Sequence, residues 1–335
     1  MRRRPDLLRR RQLIAAVLAA PFALRAQPRA RIYRIALLSI GTDPRIPLRE
    51  RMNRWHSFFE AMRSLGLVEG RDFETKSYFG DGKAASLPGL VAELKRAAPD
   101  IIVTTGDREV IALRDARIDS TPIVFTFVPD PVARGFVKSL ARPGGNITGI
   151  STFVPGQIGK HVELLHEAVP SVKRFAVFAS PSNTRPDVMG VYEIAARALG
   201  MTMIIANVSD RASYEGAFER ARKDGAQGLI VPMDGETGRY RHDLAELAIK
   251  HRLPGIYGDR FYVEAGGLLS FSSNWLDRLR RAAAMVDKIM KGADAGELPV
   301  EQPTTFELVV NLRTARALGL AIPQSILVRA DEVIE

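Results

Sequence analysis

Histidine and cysteine set the first limits on the chemistry available to this chain. Its 335 residues include five histidines, His56, His161, His166, His242 and His251, and no cysteine. Without a thiol there is no disulfide, no thiolate metal site and no cysteine nucleophile or cysteine acid–base pair. His161 and His166 are five positions apart, so they do not share a helix face as two zinc ligands four apart would. No Gly-x-Ser-x-Gly elbow occurs. Lys83 follows Gly82, but the upstream glycine of a phosphate loop is missing, and no G-x-G-x-x-G follows the first apolar run. No catalytic constellation remains, so the expectation is a protein without enzymatic activity, metal or cofactor.

What remains is a set of polar residues at the ends of apolar runs: Ser39, Thr105 with Gly106, Asp130, Asn183, Asp234 and Tyr257. Such ends precede helices, whose free N–H groups and partial positive charge suit a carboxylate. An Asp at a neighbouring end suits an ammonium group. Together these residues predict a clamp for a zwitterion. Asp, Ser and Thr at helix starts also serve simply as caps. Asp130 is expected to escape that role, because Pro129 and Pro131 flank it. Phe125, Phe127 and Phe153 read as core rather than as ligand-stacking rings.

The elements that must position these residues alternate between two periods. Ile32–Ile40, Phe73–Tyr78, Asp100–Thr104 and Ile123–Val128 read as strands. Between them, Trp55–Leu65, Leu87–Ala97 and Arg108–Arg117 carry helical spacing. Proline fixes φ and has no N–H for a ladder, so Pro129-Asp130-Pro131 ends the fourth strand. A short helix-like run follows, then the turn Pro143-Gly144-Gly145-Asn146. The alternation then restarts, with helices at His161–Ala168, Val191–Leu199, Ser213–Arg222 and Arg241–His251, and strands at Phe175–Ala179, Met201–Ala206 and Gly228–Pro232. Repeated strand–helix alternation implies parallel, doubly wound sheets. In such sheets ligands bind at the carboxyl ends of strands.

Three extended stretches, Ile147–Phe153, Gly266–Ser272 and Leu298–Val310, predict three crossings between lobes, hence a hinge. Trp275–Lys291 is an amphipathic helix, Leu312–Leu318 a closing helix and Ile326–Val328 a late strand. The fold class is α/β, two doubly wound parallel-sheet lobes joined by a three-stranded hinge. The first lobe is expected to hold residues 31–150 plus about 273–298, and the second 151–272 plus about 299–335.

The net charge of +10 is concentrated at the start, where residues 1–26 carry seven Arg and one Asp. The rest is only mildly basic, which argues against a nucleic-acid partner. Arg2–Arg11 followed by the apolar run Leu13–Leu24 is the pattern of an export signal, too short to span a bilayer. Arg9-Arg10-Arg11-Gln12-Leu13-Ile14 also fits a twin-arginine signal, with a Sec signal or a retained anchor as alternatives. The expected location is the periplasm.

Pro122-Ile-Val-Phe through Asp130-Pro131-Val132, then Ser139-Leu-Ala-Arg-Pro-Gly-Gly-Asn-Ile-Thr-Gly149, resembles the tryptophan-binding-protein-like family of ABC transporter substrate-binding proteins. Gly266-Gly-Leu-Leu-Ser270, Leu298-Pro-Val-Glu-Gln-Pro303, Ala317-Leu-Gly-Leu320 and Arg329-Ala-Asp-Glu-Val-Ile334 add to it, so that it covers about residues 32–335. The resemblance implies the type I periplasmic binding fold. It also implies a clamshell that delivers a small solute, amino-acid-like and possibly aromatic, to an ABC permease in the inner membrane. Asp130 matches the family pattern. Asp107-Arg108 departs from it, which makes Arg108 a candidate for meeting an extra acidic group on the ligand. The chain is expected to act as a monomer. The rival readings are a ligand sensor for a signalling partner and an enzyme on the same scaffold.

Overall fold

The structure, a computed structural model, describes residues 31–40, 55–80, 83–152, 154–179, 184–208, 210–233 and 235–335. The expected export signal, Asn183 and Asp234 lie outside the described residues.

The first sheet is parallel throughout, in the order β2-β1-β3-β4-β5. Its strands are β1 (Tyr33–Ser39), β2 (Phe73–Phe79), β3 (Ile101–Thr104), β4 (Ile123–Val128) and β5 (Ile147–Ser151). Successive side chains of a strand point to opposite faces, and β1 serves two cores in this way. Ile35 and Leu37 pack against α1 (His56–Ser64) on one face, while Ala36 and Leu38 join the apolar side chains of α2 (Leu87–Ala97) and α3 (Asp107–Asp115) on the other. Covering both faces explains why the central strands are near-continuous apolar runs.

The second sheet runs β12-β11-β10-β9-β8-β6-β7. It is built from β6 (Arg174–Ala179), β7 (Thr202–Asn207), β8 (Gly228–Val231), β9 (Gly255–Tyr257), β10 (Leu269–Ser273), β11 (Phe306–Asn311) and β12 (Glu332–Ile334). Only β10 and β11 pair antiparallel. Phe175 and Val177 face the core under α4 (Pro155–Ala168) and α5 (Pro186–Ala198). Ala176 and Phe178 face α6 (Ser213–Lys223) and α8 (Arg241–Lys250). Two short helices, α7 (Gly235–Arg239) and α9 (Arg260–Glu264), flank α8, and neither is read from the sequence.

Three connections join the sheets. The first leads from β5 into α4. The second leads from β10 into α10 (Trp275–Met290), which packs on the first sheet through Leu279, Ala283 and Val286. The third returns to β11. Asn274 starts α10 by accepting the N–H groups of Leu276 (2.9 Å) and Asp277 (3.1 Å) on its side-chain oxygen. The first and third connections are themselves hydrogen-bonded: Glu301 N–H donates to Gly149 and Ser151 N–H donates to Glu301, both at 2.9 Å. Gly149 has φ +150°, and a Cβ there would lie 2.1 Å from the Phe125 carbonyl oxygen, so the position admits only glycine.

Three sequence expectations change. The segment after Asp130 is a series of turns, not a helix. Ile326–Val328 is not a strand; after helix α11 (Leu312–Leu318), Gln324–Leu327 forms helix α12, and the late strand is β12. A short apolar run does not by itself choose between helix and strand, and here Ile326 is buried in the core beneath α4. Helix α4 begins at Pro155 rather than near His161, since proline is well suited to a first helical turn.

Candidate functional site

A crevice opens at the carboxyl ends of strands from both sheets. The first sheet contributes Phe127 near the end of β4, Pro129 just after it, and Thr152 after β5. The second contributes Pro232 and Met233 after β8, Gly258 after β9 and Ser273 at the end of β10. Helix α4 adds Gln157, Ile158 and His161, helix α5 adds Val188 and Tyr192, and the first turn of α10 adds Arg278. A Cβ on Gly258 would lie 2.4 Å from the Met233 backbone nitrogen, so glycine lets the ends of β8 and β9 approach at this edge.

Arg278 is the one charged side chain among the described lining residues, and it is only 6% exposed. Its Nη1 donates to Ser273 Oγ at 2.7 Å and its Nη2 to Asp259 Oδ2 at 3.2 Å. Its guanidinium lies 5.1 Å from the centroid of the Phe127 ring, a cation–π distance. Asp259, 1% exposed, also caps α9 by accepting the Phe261 N–H at 3.3 Å. The pair therefore ties α10, seated on the first sheet, to the loop after β9 in the second.

His161 is buried, and burial pushes its imidazole down to about 4, so it is neutral near pH 7. Its Nε2 lies 2.7 Å from the Phe271 carbonyl oxygen. A carbonyl only accepts, so Nε2 carries the proton. Gln157 donates to the same carbonyl at 3.0 Å. Burial also raises the Tyr192 phenol well above its ordinary range. Phe127, Ile158, Val188 and Met233 supply the apolar wall.

The residues read from the sequence separate into three groups. Ser39, Thr105 and Gly106 come together, but around the chain's own Glu109. Ser39 Oγ and Thr105 Oγ1 are 2.8 Å apart, and Thr105 Oγ1 donates to Glu109 Oε1 at 3.0 Å. The Ile40 N–H donates to the same oxygen at 2.8 Å. Glu109 is 2% exposed, and burial raises its pKa. A carboxylate does occupy the amino end of α3, where Gly106 is the N-cap, but it belongs to the protein. The sequence carries the signal in Gly106-Asp-Arg-Glu109, where an acid three residues past the cap can reach back over the helix start. The unusual Asp107 is likewise used internally, paired with Arg134 at 2.9 Å.

Asp130 forms the second group. Contrary to expectation it does cap its turn, Oδ1 accepting the Ala133 N–H at 3.0 Å. The flanking prolines restrict the backbone but leave the following N–H groups within reach. Its Oδ2 accepts from Arg185 Nη2 at 3.0 Å, so the positive group it holds here is a side chain of the opposite lobe. Arg185, the N-cap of α5, also pairs with Asp187. Tyr257 forms the third group and is a correction. It is buried with its ring stacked on Tyr262, centroids 5.3 Å apart, in the core under α6 and α8. Gly258, not Tyr257, lines the crevice. Among the described residues no three His, Asp or Glu side chains gather to hold a metal.

Two parallel-sheet lobes with a crevice at the strand ends define the type I periplasmic binding architecture. The chain belongs to the family described as ABC transporter substrate binding protein, whose model matches residues 51–334. A conserved domain protein of Vibrio cholerae is 25% identical with a TM-score of 0.80, over 90% of this chain and 100% of that one. The ABC domain of Streptococcus pneumoniae in complex with L-Trp is 22% identical with a TM-score of 0.81, over 91% of this chain and 100% of that one. That likeness is one of fold. A tyrosine-binding protein of Clostridioides difficile is 23% identical over 265 residues, 78% of this chain and 75% of that protein. No helix among the described residues is long and apolar enough to cross a membrane.

Proposed function

We propose that this chain is the periplasmic solute receptor of an ABC importer. It holds a small amino-acid-like organic solute between its lobes and releases it unaltered to an inner-membrane permease. The observation that carries this reading is the crevice itself: apolar walls and one buried guanidinium, where strand ends of two lobes meet. The lobes comprise residues 31–150 with about 273–298, and 151–272 with about 299–335, and they turn about the three connections. Ligand acts by favouring the closed arrangement, which the permease reads. The family and the tyrosine- and tryptophan-binding relatives support an amino acid or an aromatic acid as the solute. Among the described lining residues no serine, threonine or tyrosine hydroxyl is hydrogen-bonded to His161.

The test is a thermal-shift screen of the purified protein against amino acids and aromatic acids. A true ligand at 100 times its Kd adds about 2.7 kcal/mol of stability. It also reduces the radius of gyration in solution scattering. If no such compound stabilises the protein, or if a bound compound is converted, the reading is wrong.

A further inference from the structure

We propose that the crevice selects its ligand through a carboxylate, that Arg278 is the anchor, and that an α-ammonium contributes little. This rests on the crevice being the ligand site and adds the chemical class: organic acids with an apolar body.

A guanidinium carries five N–H donors. Ser273 and Asp259 each take one. Arg278 makes no other side-chain hydrogen bond in the structure, yet it is 6% exposed and lines the crevice. Both terminal nitrogens keep N–H groups beyond the one each gives to Ser273 or Asp259, and a planar fork of N–H groups matches the two oxygens of a carboxylate. Beside the fork stand Phe127 and the apolar wall of Ile158, Val188 and Met233, which suit a hydrocarbon body.

Among the described lining residues an ammonium has no comparable partner. No described lining residue is acidic. Asp130 is held by Arg185, and Asp259 by Arg278. The other place suited to a carboxylate, the amino end of α3, is filled by Glu109.

The experiment is calorimetric titration of the wild-type protein with matched sets: 3-phenylpropionate, 3-phenylpropanamide and L-phenylalanine, and likewise 4-methylpentanoate, its amide and L-leucine. In at least one set the acid is expected to bind at least about tenfold more tightly than the amide, with the amino acid within about tenfold of the acid. Arg278→Lys keeps a cation beside Asp259 but loses the fork; it is expected to weaken the acid by at least about tenfold and to leave the amide unchanged. Equal binding of acid and amide overturns the anchor. Binding of an amino acid without its deaminated acid overturns the minor role of the ammonium. Failure of every acid, while the broader screen finds a neutral solute that closes the lobes, overturns this inference and leaves the receptor reading standing. Failure of every compound in both experiments removes the receptor reading as well.

Discussion

Two places at the carboxyl edge of the sheets are suited to an anion: the amino end of α3 and the first turn of α10. At the first, the Ile40 N–H and the Thr105 hydroxyl converge on Glu109, so the donors are spent within the protein. At the second, Asp259 takes a single N–H of Arg278 and Ser273 another, leaving donors for a guest. A helix start with small polar neighbours is not a ligand site merely because it has donors. What matters is whether the chain supplies its own acceptor.

The largest expected effect lies at α10. Arg278→Leu leaves Asp259 charged and buried without its cation, which should cost about 3–5 kcal/mol in urea denaturation. The double variant Arg278→Leu/Asp259→Leu should recover most of that loss. If the single variant is as stable as wild type, Arg278 does not hold a buried charge and the contrast with α3 dissolves.

Next comes pH, where the lobes should respond in opposite directions. His161 has its pKa lowered by burial from 6.5 to about 4. The unfolded chain therefore takes up this proton first on acidification. Its contribution is intact above pH 6.5 and is lost toward pH 4, by about 3 kcal/mol in all. Glu109 has its pKa raised, by burial first, with Asp107 adding to the effect. Its contribution is full below the unfolded carboxylate value and is lost as pH rises through the elevated folded value. Urea midpoints from pH 4 to 8 should therefore show a flatter acid limb in His161→Gln and a flatter neutral limb in Glu109→Gln. Two variants that both track wild type would refute the assignment.

The smallest effect is expected at the rim. The Asp130–Arg185 pair is half-buried, with side chains 21% and 29% exposed. Asp130→Asn should cost no more than about 1 kcal/mol, less in high salt. It should also raise the radius of gyration of the ligand-free protein, because the pair links the two lobes. A loss of several kcal/mol would place the rim among the structural ties, beside Arg278–Asp259.

Strongly patterned elements were legible from sequence. Leu87–Ala97 and Leu312–Leu318 are helices with the bounds that their spacing predicts. The strand ends at Thr104, Val128 and Pro232 were legible from the sequence, within one residue of the observed ends, and the last two border the crevice. Ile326–Val328 was not legible, because three apolar residues carry no period. Glu109 was readable in principle from its distance to Gly106.

Arg278 was not legible. It sits in α10 with Arg280 and Arg281 nearby, and on a helical wheel nothing singles it out. Residue order and period pointed to the two lobes and the three connections, because hydrophobic spacing and chain-breaking residues act locally, and the family was legible in the resemblance of longer motifs. Only the packed structure set Arg278 over Phe127 and against Asp259, tied Asp130 to Arg185, and turned Tyr257 into the core. Burial, and which donors remain unspent, depend on partners distant in the chain that meet only when the lobes fold together.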